Sequence, residues 1–154
     1  MTTTTAAASV QSVWFPIVFP GLNELVAARG ASWHTRGGRQ DRYNLTKRRL
    51  HDQALLCIFA AGLRPVAAPY RIAYEFHLAA RRGDPSNIRA GAEKVILDAL
   101  AKGRAGPRGW TGAGIVHCDG FHCYRGLAGE AWRVRGEPGY RGEGVLVTLQ
   151  EARP

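Results

Sequence analysis

The chain predicts an α/β fold: a single domain with a mixed β-sheet and two main helices, in the order β-α-β-α-β-β. Three observations carry this. Tyr70 to Ala79 alternates in the manner of a strand, with Ile72, Tyr74, Phe76 and Leu78 on one face and Ala73, Glu75 and His77 on the other. Leu50, Ala54, Leu55, Ile58 and Phe59, and later Ile88, Ala92, Val95, Ile96, Ala99 and Leu100, recur at helical spacing. β-prone segments lie near both ends of the chain, and 154 residues suit one domain with a real core.

Residues 1–11, mostly threonine and alanine, read as a frayed tail before a domain spanning 12–150. The tail lacks the basic start and apolar block of a signal peptide, so a cytoplasmic location is expected. Ser12 to Phe19 is apolar, but Pro16 cannot donate to a ladder, which predicts an edge or bulged strand. Arg29 to Arg49 is rich in glycine and arginine. It carries Arg29, Arg36, Arg39, Arg42, Lys47, Arg48 and Arg49 with Trp33, His34 and Tyr43 interleaved. Cations among planar rings suit phosphates and unstacked bases, although a solvated loop has the same composition.

Asn44 is placed to cap a helix reaching about Ala61, with Gly62 as its stop. On the strand that follows, Glu75 and His77 point the same way, toward solvent or toward the floor of a site. Arg81-Arg82-Gly83 leads to Asp84-Pro85-Ser86-Asn87, where Asp84 reads either as a helix cap before Pro85 or as a ligand. Beside the apolar stripe of the next helix, Asn87, Gly91, Lys94 and Asp98 share a neighbouring face. Arg104 to Gly114 is a basic, glycine-rich loop. Ile115 to Tyr124 resumes β character around Asp119-Gly120, and Ala131 to Val134 and Val145 to Leu149 read as closing strands.

A formal charge of +9 points to a polyanionic partner. No apolar run approaches the roughly 20 residues of a membrane span, so no membrane partner is expected. Three cysteines, Cys57, Cys118 and Cys123, argue against a disulfide framework. The cluster His117-Cys118-Asp119-Gly120-Phe121-His122-Cys123 offers zinc-type donors without a C-x-x-C spacing.

Phe19-Pro20-Gly21-Leu22-Asn23, Asp84-Pro85-Ser86-Asn87, Lys94-Val95-Ile96-Leu97-Asp98-Ala99-Leu100 and Cys118-Asp119 stand in the order found in RusA-type Holliday-junction resolvases, and from about Val13 to Gln150 the chain resembles that family. The resemblance implies a homodimeric, Mg²⁺-dependent endonuclease, with Mn²⁺ as a substitute, cutting four-way junctions or other branched DNA. It implies Asp84 and Asp119 as metal ligands and Lys94 offsetting transition-state charge. Asn23, Arg81, Arg82, Asn87 and Arg89 would touch DNA, as would the cations from Arg29 to Arg48. A catalytically impaired junction-binding protein of the same fold is the alternative.

The chain departs from the family pattern at Ser86 and Cys118, which stand where carboxylates are expected. Glu75 is the first candidate to replace one, ahead of Glu93 and Asp98. Lys94 also comes one turn late, about 6 Å along a helix, unless Ile88 to Gly91 loops out before the helix starts.

Overall fold

Alternation makes Tyr70–Leu78 a strand, and its Tyr70, Ile72, Tyr74 and Phe76 are all at most 1% exposed. The computed structural model describes residues 9–30, 38–106, 109–120 and 122–152. Its strands are β1 (Val10–Phe15), β2 (Tyr70–Leu78), β3 (Gly103–Arg104), β4 (Trp110–Thr111), β5 (Tyr124–Val134) and β6 (Gly144–Glu151). The helices are α1 (Leu22–Gly30), α2 (Gly38–Ala61) and α3 (Pro85–Leu100). The mixed α/β architecture expected from the pattern is present.

A four-stranded sheet runs in the order β1-β6-β2-β5, with β6 antiparallel to both β1 and β2. β2 and β5 are parallel, so the chain must cross over between them, and α3 with the β3–β4 hairpin fills that connection. The core stripe of α3 (Ala92, Val95, Ile96, Ala99 and Leu100, each 0% exposed) joins Tyr74, Phe76, Val147 and Leu149 in one apolar cluster. α3 also packs against α1 and α2. Among the described residues no helix is long and apolar enough to cross a membrane.

Several elements differ from expectation. β1 is an edge strand as Pro16 requires, but its pairing stops at Phe15 and it takes Val10 and Gln11 from the expected tail. α1 is not expected from the sequence: among its described side chains only Leu25 of the apolar residues is buried, while Leu22 and Val26 are exposed. Such a helix has almost no periodic signal. α2 starts at Gly38 rather than at Asn44, and its Phe59 is exposed rather than buried. Helix α3 is continuous from Pro85, so Ile88 to Gly91 does not loop out.

Residues 115–120, with 122 and 123, form a lashed connection rather than a strand. The Ile115 N–H donates to Leu100 O at 2.9 Å, the Val66 N–H to Ile115 O at 2.7 Å and the Tyr70 N–H to Cys123 O at 2.7 Å. Cys118 and Cys123 are bonded to each other, which corrects the expectation from the cysteine count: a single short-range bridge needs only two neighbouring thiols. It also withdraws both sulfurs from the zinc reading.

Candidate nucleic-acid interface and acidic cavity

The outer face of α3 begins where its apolar stripe ends. Glu93 and Leu97, and Lys94 and Asp98, are pairs one turn apart, so all four can line one wall. Together with Ala90, Asp119, Gly120 and Tyr124 they line an open cavity of about 440 Å³. The opposite wall is held in place by the lashed connection. The Tyr70 hydroxyl donates to Cys118 O at 2.8 Å, the Cys123 N–H donates to Gly120 O at 2.9 Å, and the Cys118–Cys123 bond closes the turn on both sides of Asp119. The Tyr124 hydroxyl donates to Glu93 Oε1 at 2.6 Å.

Burial pushes both tyrosine hydroxyls upward. Nearby negative charge adds to this, from Asp119 and Glu93 at Tyr70 and from the Glu93 hydrogen bond at Tyr124. Both therefore remain neutral donors near neutral pH, and Tyr124 fixes the orientation of the Glu93 carboxylate.

A second cavity, about 420 Å³, lies between α2 and α3. Asn44, Lys47, Arg48 and His51 face Lys94 and Asp98, with Gly109 and Trp110 from the hairpin at one end. Lys47 Nζ is 3.3 Å from Asp98 Oδ2. Lys94 and Asp98 line both cavities, so a cation-lined groove opens onto a carboxylate-lined one.

The structure distributes the expected site residues unevenly. Asp119, Lys94, Lys47 and Arg48 lie along these two cavities. Asp84 does not. It caps α3, its carboxylate accepting the Ser86 N–H at 2.9 Å and the Ser86 hydroxyl at 2.8 and 2.9 Å. Ten residues of helical rise place Lys94 about 15 Å further along the axis than Asp84. Asp84 is thus not among the residues that line the cavity with Asp119.

Glu75 is also elsewhere. Strand alternation puts it on the sheet face opposite Tyr74 and Phe76. There its Oε1 accepts from Arg133 Nε at 2.6 Å and lies 2.9 Å from His77 Nε2. The Arg133 hydrogen bond holds the Glu75 carboxyl below the ordinary range, burial opposes this, and His77 reinforces it. His77 is fully buried, and its Nδ1 accepts the Arg141 N–H at 3.1 Å, so Nε2 carries the proton shared with Glu75. The shared parity of Glu75 and His77 is thus a packed polar cluster; it supplies no carboxylate to the α3 cavity.

Asn23 and Asn87 are joined to each other: Asn87 Oδ1 accepts the Asn23 N–H at 2.8 Å and so satisfies a donor in the first turn of α1. Arg89 pairs with Glu130, Arg81 Nη2 lies 3.8 Å from Glu137, and Arg82 is exposed. Arg29, Arg36, Arg39 and Arg42 lie outside the residues whose side chains are described. Tyr124 and the groove between α2 and α3 went unforeseen. The i, i+4 pairing of Lys94 with Asp98 hinted at a shared wall, whereas no local signal marks Tyr124.

Among the described residues no three His, Cys, Asp or Glu side chains converge into a ready-made metal cage. Mg²⁺ seldom uses one: it keeps several waters and takes one or two carboxylates plus substrate phosphates. Asp119, Asp98 and Glu93 offer hard oxygen donors on one cavity, Asp98 beside Lys47 and Glu93 under the Tyr124 hydroxyl, whereas Asp84 is not among the residues that line it. No protein-family model matches the chain, and no curated protein matches it.

Proposed function

We propose that this protein is a Mg²⁺-dependent endonuclease for branched DNA, gripping the phosphate backbone in the groove between α2 and α3 and hydrolysing a phosphodiester in the adjoining acidic cavity. The observation that carries this reading is the double duty of Lys94 and Asp98, which line both the cationic groove and the carboxylate cavity. The ordered resemblance to RusA-type resolvases supports the choice of branched DNA, and a two-fold homodimer would match the symmetry of a four-way junction.

Each side chain then has a distinct task. Lys47 and Arg48 hold phosphates as a track, and a phosphate arriving at Lys47 frees the Asp98 carboxylate from its ion pair. Asp119, with Asp98 or Glu93, would hold the divalent cation. Bound there, such an ion supplies Lewis-acid polarisation of a phosphoryl oxygen and lowers the pKa of its water. Lys94 offsets negative charge gathering on the phosphate, and Tyr124 keeps Glu93 aimed at the cavity.

The test is cleavage of a four-way junction across a Mg²⁺ and Mn²⁺ titration, beside duplex and single-stranded controls. Asp119→Asn should abolish cleavage and retain junction binding; undiminished cleavage removes Asp119 from the site. Equal cleavage of every DNA form would reduce the protein to a general nuclease. A second reading, a junction-binding protein without catalysis, is favoured by Ser86 at the acidic corner and by the commitment of Asp84 to its cap. Tight junction binding with no cleavage at any metal concentration would establish it.

A further inference from the structure

At the other end of α3, away from the acidic cavity, Leu78, Pro85, Trp132 and Val134 form an apolar floor beneath Arg81 and Arg82. The space is about 390 Å³, within the range of roughly 300–1,000 Å³ usual for small-molecule sites. Trp132 is its distinctive feature. One face of the indole stacks on buried Phe76, with centroids 4.4 Å apart and planes 14° off parallel. β5 is an edge strand, so no neighbouring strand covers the other face.

The ring is fixed in place. Its Nε1–H donates to Glu130 Oε1 at 2.8 Å, and Glu130 is itself paired with Arg89. Glu137 on the rim is anchored by the Val134 N–H at 2.9 Å and stands 3.8 Å from Arg81, positioning that guanidinium. Arg82 makes no ion pair among the described residues.

We infer that this pocket is a nucleotide subsite, in which one unstacked base lies on the part of the Trp132 ring that lines the pocket while its flanking phosphates pair with Arg81 and Arg82. A rigid aromatic platform beside exposed guanidinium groups is the combination that single-stranded nucleic acid uses, because every base has a flat face and every nucleotide a negative charge. Pro85 lines this pocket, and Lys94 lies about 14 Å further along α3, the rise of roughly four stacked nucleotides at the 3.4 Å per-strand spacing of duplex DNA. The inference rests on the reading of the protein as acting on branched DNA and adds to it a preference for an unpaired nucleotide a few steps from the scissile phosphate.

The test compares a blunt duplex with the same duplex carrying a short single-stranded tail that contains 2-aminopurine. Wild-type protein should bind the tailed DNA more tightly and quench the 2-aminopurine by stacking. Trp132→Leu should weaken binding of the tailed DNA by about 5- to 100-fold, the cost of one base–aromatic stack, and leave blunt-duplex affinity unchanged. Trp132→Phe should keep the quench. Arg81→Ala with Arg82→Ala should lower tailed-DNA affinity and flatten its salt dependence.

A folded Trp132→Leu variant with unchanged affinity and quench overturns the subsite. Should that variant fail to fold, the arginine pair decides, since both side chains are exposed: unchanged affinity and quench there overturn it equally. Wild-type protein that binds both DNAs equally sinks the subsite alone, whereas protein that binds neither of them nor a four-way junction sinks the proposed function with it.

Discussion

The sharpest test of the site concerns Asp84, because a cap and a metal ligand respond differently to the same conservative change. The carboxylate satisfies the Ser86 N–H and takes both of its remaining bonds from the Ser86 hydroxyl. Replacing a cap of this kind by alanine costs about 1 kcal/mol, within a range of 0.5–2. Loss of its charge from the helix N-terminus costs another ~0.3–1 kcal/mol. Asp84→Ala should therefore lower the unfolding midpoint by roughly 3–8 °C, at about 2–4 °C per kcal/mol for a chain of this size. Asparagine caps as well as aspartate does, so Asp84→Asn should lose only the charge contribution and shift the midpoint by no more than ~4 °C.

A metal ligand behaves otherwise. Its loss should reduce single-turnover junction cleavage by about 100-fold or more, since even supporting residues around a metal cost 10–100-fold. The assay pairs thermal unfolding with single-turnover cleavage for Asp84→Asn and Asp119→Asn. The expected outcome is near-wild-type cleavage by the first and none by the second. A stably folded Asp84→Asn that loses cleavage would refute the reasoning and return Asp84 to the catalytic site.

Other consequences follow from single contacts. Gly91→Ala gains about 1 kcal/mol of helix propensity, but its Cβ would overlap the Pro20 carbonyl oxygen and come within 3.0 Å of Gly21 C and Leu22 N. Unseating α1 should cost more than that gain, for a net loss of about 1–3 kcal/mol in denaturant unfolding; a stabilised variant would show that α1 does not sit there. Lys47→Ala should reduce the slope of log affinity against log salt by about 1, measured by titration of junction DNA at several ionic strengths. An unchanged slope would take Lys47 off the phosphate track. Glu75 has its folded-state pKa depressed chiefly by Arg133, so its contribution to stability is present above the ordinary glutamate value of about 4.5 and is lost as pH falls through the lower folded value. Glu75→Gln should flatten the acid limb of a stability-versus-pH profile, with no effect on cleavage at neutral pH.

The fold was legible where burial is one-sided. Period-two alternation marks β2 and the apolar stripe marks α3, because each has one face in the core and a single register that keeps it there. Neither α1, with Leu25 alone buried among its described apolar side chains, nor the connection at 115–120, held by backbone bonds to Leu100 and Val66, leaves such a pattern. The same limit applies to the site. That Asp119 faces Lys94 and Asp98 is decided by the path of the chain from Ala101 to Cys123, and no local spacing encodes that path.

The corner Asp84-Pro85-Ser86-Asn87 shows why a motif read in order can be right about position and silent about role. Asp84 caps, Pro85 occupies the first turn, Ser86 closes the cap, and Asn87 accepts the first-turn N–H of Asn23. A Cβ on Gly21 would come within 3.2 Å of Asn87 Cγ, and one on Gly91 would strike Pro20, so the Pro20-Gly21-Leu22-Asn23 segment fits against α3 through backbone-to-backbone approach. These residues would be retained together for packing alone, whatever chemistry the protein performs. The acidic side chains nearest Lys94 therefore lie away from the corner: Glu93 and Asp98 stand two to three turns down the same helix, and Asp119 faces them from the connection that follows it.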